Sequence, residues 1–513
     1  MKKKEILVLI LCLLIGFALR FYTFDKKSLW IDEIHTFNDS RDDFKGQLKY
    51  YKENPTNLHP PLFYILTHLF YPFPKPERDL RIIPLIFGTL SIPMIYFLSR
   101  SFSSTIALPC TLCLTFMTYH IYFSQDGRMY SLLMFFGMAS IYFLLKHLET
   151  SQRKCLFSVA FCFATLFHTS YSSILFIVLI QMLWFYRINE AQKKPTISSF
   201  FILNGITLLL CMPWIVFILF SHKDQPFMDR LTVQDIGSLW NLLRVILGDW
   251  APYLPLMLIS AALLIFFPIF SKKKKDASIL LATSVVPVVG LYSYCRLLNV
   301  TQFITSRYFI GFLPLFLITL YLSLDAIESK SERLKRLVQP RFFFLILFIA
   351  SNLIILPPYY RAEKQDFRGL VNYLNSHLRD GDKIFVGTFT YIPGILHYFK
   401  VDPGRRHYVI PYSWKEPGKL FEFKVSLTSQ NRNFTIYHSN IPYAQYVEDG
   451  SRLWILVGKE ASKGIQRSFP LVLKGYFDGS FSNFRRFPSD ASMYLFLWDP
   501  RSPNGKGIDI SLE

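Results

Sequence analysis

The chain has 513 residues, of which 51% are hydrophobic and 51 are Phe, yet it carries 56 Lys and Arg against 36 Asp and Glu. The apolar residues come in blocks near 20 long, which excludes an ordinary soluble globular chain and indicates a polytopic α-helical membrane protein. The net charge of +20 sits largely in short loops between those blocks, as membrane topology requires, so it calls for no nucleic-acid partner.

About eleven spanning helices are expected, near 5–23, 82–99, 105–123, 129–146, 155–168, 171–187, 198–220, 252–270, 277–295, 308–325 and 342–358. The first follows Met1-Lys2-Lys3-Lys4, a signal-peptide-like start. No small-residue cleavage site follows it, and Arg20 and aromatic residues close it, so it reads as a retained helix. The pair 155–168 and 171–187 could be drawn as one helix. It would then be about 50 Å long, against a hydrocarbon core of about 30 Å. Two short helices meeting near His168 also put Lys2–Lys4, Arg100, Arg153/Lys154, Lys193/Lys194, Lys272–Lys275 and Lys330–Arg341 on one side. By the positive-inside rule that side is cytoplasmic. The N-terminus is then cytoplasmic in a plasma (inner) membrane, and the loop 24–80 and the C-terminal region lie outside the cytoplasm.

The expected organisation is a membrane module, 1–358, with a large first outer loop 24–80, then an extracytoplasmic soluble α/β domain, 359–513. In the latter, Phe367–Leu378 has helical spacing and Arg379–Asp382 ends it. Lys383–Thr388, Leu453–Gly458 and Met493–Trp498 read as strands. All seven Cys fall in the membrane part, so no disulfide framework or Cys-based zinc site is expected in the outer domain. Cys110 and Cys113 form a CxxC inside an apolar run, where small buried hydrophobes are the simpler reading than redox chemistry.

The residues able to carry chemistry cluster at the outer helix ends. Trp30-Ile31-Asp32-Glu33-Ile34-His35 follows the first helix. One carboxylate can accept a proton from an acceptor hydroxyl or amine, and the other can orient a group or bind a cation. An isolated Asp-Glu pair is more often a solvated loop. His59, ahead of Pro60-Pro61, can contact a phosphate or a metal, or simply lie at the membrane interface. Arg81 opens the second helix, where it can snorkel to headgroups or hold a lipid phosphate. Ser124-Gln125-Asp126-Gly127-Arg128-Met129-Tyr130 forms the second outer turn, and Arg307-Tyr308 opens the tenth helix. Arg grips phosphate with two parallel donors and Tyr adds another, so Gln125, Arg128, Tyr130, Arg307 and Tyr308 join His59 and Arg81 as candidate substrate contacts. There is no P-loop, GxGxxG, GxSxG or HExxH, hence no visible apparatus for a nucleotide donor.

WIDEIHTF (30–37), HPPLFYIL (59–66), RIIPLIFG (81–88), SQDGRMYSL (124–132) and SRYFIGFLP (306–314) occur in this order, all at the outer face. Together with DFRGLVNYLNSHLRDGDKIFV (366–386), they make the whole chain resemble the GT-C superfamily of membrane glycosyltransferases. The likeness is to the bacterial branch related to protein O-mannosyltransferases and the lipid A aminoarabinose transferase. It implies inverting transfer of a sugar from a polyprenyl-phosphate-linked donor to an envelope acceptor, whether lipid, glycan or protein. It casts Asp32 as catalytic base or acceptor contact and Glu33 as the second catalytic carboxylate. Arg81, Arg128 and His59 match positions near those that bind the donor phosphate. His59 stands where the aminoarabinose branch has Lys before the paired prolines, and Leu58 replaces an acidic residue, which weakens the carry-over of that branch's metal site or substrate. No cofactor is required, and a divalent metal stays open.

Two other classes fit the pattern less well. A transporter or flippase of lipid-linked sugars typically has inverted repeats and ionisable residues near the bilayer midplane, whereas charge here sits at helix ends. A membrane-tethered binding protein would need only a short anchor.

Overall fold

The structure is a computed structural model. It describes residues 3–53, 59–187, 197–221, 237–271, 274–297, 304–330, 339–401, 422–468, 471–482, 484, 491–502 and 506–508. Leu58, Lys193, Lys194, Lys272, Lys273 and the basic residues within 331–338 lie outside the described residues.

Each apolar block expected to span is helical, because a continuous apolar run leaves the backbone no better partner than itself. Among the described residues, six helices are long and apolar enough to cross a membrane: Pro76–Phe102, Tyr130–Thr150, Ile197–Ser221, Ser278–Leu297, Ser306–Lys330 and Pro340–Arg361. A seventh is added if the bent pair Leu239–Trp250 and Leu254–Phe267, at 110°, is one span. Around His168 the chain breaks, with separate helices Arg153–Phe167 and Ser173–Arg187. The segment expected at 105–123 is two helices, Ala107–Phe116 and Thr118–Ser124, because Met117 is extended (ψ 108°). The break is stabilised from outside the segment: the Thr118 N–H donates to Asn352 Oδ1 (2.9 Å), and its hydroxyl donates to the Asn352 carbonyl (2.8 Å). All seven Cys are buried and free, and Cys113 Sγ lies 3.2 Å from the Tyr321 hydroxyl.

The chain forms two compact units. One comprises Met1–Phe24, Ser40–Pro74 and Asp79–Pro357 and holds the apolar helices. The other comprises Asp25–Asp39, Lys75–Arg78 and Pro358–Glu513. The outer-loop segment with Asp32 and Glu33 therefore folds with the C-terminal part of the chain.

In the first unit, Gly88 permits a close approach. A Cβ there would come within 2.5 Å of Ser124 Cβ and 3.3 Å of Ser124 Cα, on the helix that ends at the second outer turn. Gly88→Ala is expected to destabilise the protein by about 1–3 kcal/mol, because backbone rather than a flexible tip must yield. A thermal midpoint in detergent equal to wild type would contradict this.

The second unit is built on a six-stranded mixed sheet in the order β2-β3-β1-β4-β6-β5. The strands are β1 Asp382–Val386, β2 Glu422–Ser429, β3 Arg432–Ser439, β4 Leu453–Gly458, β5 Val472–Phe477 and β6 Met493–Trp498. β1 runs parallel to β3 and β4; the pairs β2–β3, β4–β6 and β5–β6 are antiparallel. β4 and β6 are buried along nearly their whole length, and both read as unbroken apolar runs. One face packs Phe385, Ile455, Val457 and Phe496 against Ile465 of the helix Lys459–Ser468. On the other, Tyr373 of the helix Phe367–His377 meets Trp454 and Phe477 edge-on. β2 and β3 form a hairpin turned by Gln430–Asn431, both with positive φ (50° and 59°), which a right-twisted two-residue turn demands.

His438 on β3 shares a hydrogen bond with the Val386 carbonyl (2.7 Å), and burial lowers its imidazole below the ordinary 6.5. The unfolded chain then binds the proton more readily, so stability is present above pH 6.5 and is lost as pH falls through it. The loss is at most about 1.4 kcal/mol per pH unit. Burial raises the Asp366 and Asp382 carboxyls, which act in the opposite sense but nearer their ordinary 3.8. His438→Phe is expected to flatten the thermal midpoint against pH just below 6.5; an unchanged slope would assign it elsewhere.

Candidate functional site

In the second unit, the helix Ile31–Asp39 carries both candidate catalytic carboxylates in its first turn. Carboxylates are favoured there because the first N–H groups of a helix point outward unpaired. Glu33 sits three residues after Trp30, and its Oε2 accepts from the Trp30 N–H (3.3 Å), the return half of a capping box. Its Oε1 lies 3.4 Å from Lys364 Nζ, and both side chains are 0% exposed. Asp32, one residue earlier and about 100° around the helix, is half-buried. The two carboxylates thus occupy different environments.

The approach to this helix is held from several sides. The Leu29 N–H donates to the Tyr398 hydroxyl (2.7 Å), which itself donates to Glu77 Oε1 (3.0 Å). The Ser28 N–H donates to Glu363 Oε2 (2.9 Å), and the Ile31 N–H donates to Gln365 Oε1 (3.2 Å). Burial, then the neighbouring Asp366, raise the Glu363 carboxyl above its ordinary range. Lys27 donates to the carbonyls of Tyr359 and Ala362 and lies 4.2 Å from the Tyr359 ring centre. Trp30 is 1% exposed, and its burial helps to anchor the turn.

In the first unit, Arg307 and two tyrosines form a basic and aromatic cluster. Arg307, on the short 3-10 helix Ser306–Phe312, places its guanidinium 5.8 Å from the Tyr130 ring centre and 5.5 Å from that of Tyr308. Those separations suit cation–π contact, which holds a planar fork in one orientation. Tyr130 opens its helix and packs edge-on against Phe123 (4.9 Å). Next to Arg307, Ser306 donates to Asp249 Oδ2 (2.6 Å) and accepts from the Tyr119 hydroxyl (3.0 Å). Gln125 is buried and donates to the carbonyls of Arg20 (2.8 Å) and Tyr22 (2.5 Å), tying the second outer turn to the end of the first helix. Arg20 is itself fully buried, donating to Leu114 O (2.9 Å) and facing His120 Nδ1 (2.6 Å). Arg128 is buried in the same turn, its N–H donating to the Asp126 carbonyl (2.6 Å). Arg81 is wholly buried and donates to the Phe24 carbonyl (2.8 Å). His59 is exposed, its ring 6.1 Å from that of Tyr64. The structure thus brings Tyr130, Arg307 and Tyr308 together and Gln125 with Arg20, and Arg81 reaches the Phe24 carbonyl, two residues beyond the Tyr22 carbonyl that Gln125 binds. Among the described residues, no three His, Cys, Asp or Glu converge as metal ligands.

A family model for dolichyl-phosphate-mannose-protein mannosyltransferase matches residues 58–217, a stretch holding the second outer turn and the helix opened by Arg81. No curated protein matches the sequence. Among solved structures, ArnT from Cupriavidus metallidurans in the apo state matches over 98% of this chain and 99% of that one, with a TM-score of 0.54 and 11% identity. The same protein bound to undecaprenyl phosphate matches over 96% and 97%, with a TM-score of 0.53 and 12% identity. The chain has the GT-C fold. At such identities the likeness is one of architecture, and it extends over nearly the whole chain, the helical unit and the mixed-sheet unit alike.

Asp249, Tyr119 and Lys364 were not singled out from the sequence. A signal existed for the first. Leu239, Leu242, Leu243, Ile246, Leu247 and Trp250 have helical spacing, and Ser238 caps them by accepting from the Asn241 N–H (3.1 Å). No local pattern marks Lys364, whose partner is 331 residues away.

Proposed function

We propose that the protein is an inverting glycosyltransferase that moves a hexosyl or pentosyl group from a polyprenyl-phosphate-linked donor to a lipid, glycan or protein of the cell envelope. The mannosyltransferase family match over 58–217 carries this reading, since that stretch contains His59, Arg81, Gln125, Arg128 and Tyr130. ArnT with undecaprenyl phosphate bound, a neighbour in fold, supports a lipid phosphate as leaving group.

Asp32 takes the proton from the acceptor hydroxyl or amine. The freed nucleophile forms its bond to the anomeric carbon from the face opposite the phosphate. The bond from that carbon to the phosphate oxygen breaks, and its electron pair leaves on polyprenyl phosphate. Arg307, with Arg128, Arg81, His59, Gln125, Tyr130 and Tyr308 as further donor contacts, holds the charge building on that phosphate. The protein works in the plasma (inner) membrane, with its N-terminus cytoplasmic and its C-terminal unit outside, as the positive-inside pattern supports.

The test combines purified protein with a panel of polyprenyl-phosphate sugars, and mass spectrometry of envelope glycans and lipid-linked sugars after gene deletion. Transfer in vitro, with a missing sugar and an accumulated carrier in the deletion strain, is the expected result. Flux of a lipid-linked sugar across proteoliposomes without covalent transfer would replace the reading by that of a flippase.

A further inference from the structure

The segment 363–365 follows directly on the long apolar helix Pro340–Arg361. Its three consecutive side chains each reach the segment 28–33: Glu363 binds the Ser28 N–H, Lys364 faces Glu33, and Gln365 binds the Ile31 N–H. Two of these satisfy backbone donors at the entry to a helix, which the helix cannot satisfy itself. The third is an ion pair with both partners fully buried.

Such a pair is poor at stabilising a fold, because desolvating two charges offsets most of their attraction. It is effective at enforcing one arrangement, because any rotation that separates the partners pulls two buried charges apart, which is costly away from water. Glu33 is next to Asp32 on the same turn, so fixing Glu33 fixes the helix's rotation about its axis and with it the direction of Asp32.

We infer that Lys364 is a positioning residue: through Glu33, and with Gln365, it sets the direction in which Asp32 is presented. This rests on the reading of Asp32 as the base. Of the two duties open to the second carboxylate, orienting a group and binding a cation, Glu33 takes the first. The base is thereby governed by the start of the C-terminal region rather than by its sequence neighbours alone.

The test uses full-length protein carrying Lys364→Met, Glu33→Gln, both together, and Gln365→Ala. Lys364→Met is expected to lower kcat about 10- to 100-fold, the range for a base displaced by about an ångström, with the donor KM within about twofold of wild type. The double variant leaves no lone charge and is expected to recover much of the loss. Amide exchange over residues 28–34 should quicken in Lys364→Met and slow again in the double variant. Gln365→Ala, which strands no charge, is expected to lower kcat about threefold or more with an unchanged thermal midpoint, and it decides the matter should Lys364→Met not fold. Wild-type kcat in Lys364→Met or Gln365→Ala, while Asp32→Asn is inactive, overturns the positioning role and leaves the base standing. Full activity in Asp32→Asn removes the base instead, and unaltered exchange over 28–34 in Lys364→Met then removes the clamp too.

Discussion

Asp32→Asn is expected to lower kcat for sugar transfer by about 10²- to 10⁴-fold, the range for losing a general base. Asn keeps the volume and much of the hydrogen bonding of Asp but cannot take a proton at neutral pH. The structural cost is small. Asp32 is half-buried at the second position of its helix, and losing a carboxylate there costs about 0.3–1 kcal/mol. That magnitude separates the two effects: the thermal midpoint should scarcely move while turnover collapses. Initial rates with a polyprenyl-phosphate sugar, beside a melting curve of the same preparation, provide the measurement. Transfer at the wild-type rate would remove Asp32 from the chemistry. The contrast with Glu33 is informative. Neutralising that wholly buried carboxylate removes the charge paired with the buried Lys364 ammonium, so its loss registers in stability as well as rate.

Arg307→Ala is expected to lower kcat/KM for the lipid-linked donor by about 10²- to 10³-fold, the effect of removing one preorganised donor from developing charge. Arg307→Lys should recover only part, because an ammonium keeps the charge but loses the planar fork held between Tyr130 and Tyr308. Binding of undecaprenyl phosphate to the resting protein separates phosphate recognition from catalysis. It should weaken in Arg307→Ala and persist in Asp32→Asn. Equal affinity in Arg307→Ala and wild type would exclude the guanidinium from phosphate recognition. Arg307 is 7% exposed, so the truncation also removes packing, and only variants with a retained melting transition bear on the question.

Much of the architecture was legible because its causes are local. A run of about 20 apolar residues has to form a helix in lipid wherever it sits in the chain, so every block expected to span is helical. β4 and β6 were legible for a related reason: central strands buried on both faces read as unbroken apolar runs, as does the Ile384–Val386 part of β1. β2, β3 and β5 were missed. β2 lies at an edge and mixes Lys, Ser and Thr with its apolar residues, and the β2–β3 turn uses Gln430–Asn431 without the Gly that marks most such turns. The helix Leu239–Trp250 is not among the expected spans because Asn241, Arg244 and Asp249 interrupt its apolar character.

The sequence by itself determined that the chain is a polytopic helical membrane protein with a GT-C likeness, and it brought out Asp32, Glu33 and the arginines of the outer helix ends. Hydropathy and charge patterns are properties of short windows and need no knowledge of what folds against them. Only the tertiary structure decided that Asp25–Asp39 folds into one unit with Pro358–Glu513. It also decided that Glu33 is locked to Lys364 while Asp32 is not buried with it, and that Arg307 lies between Tyr130 and Tyr308. Those partners are separated in sequence by 331 residues in one case and 177 in another. Burial and long-range pairing set their environments, and neither leaves a trace in the neighbouring residues.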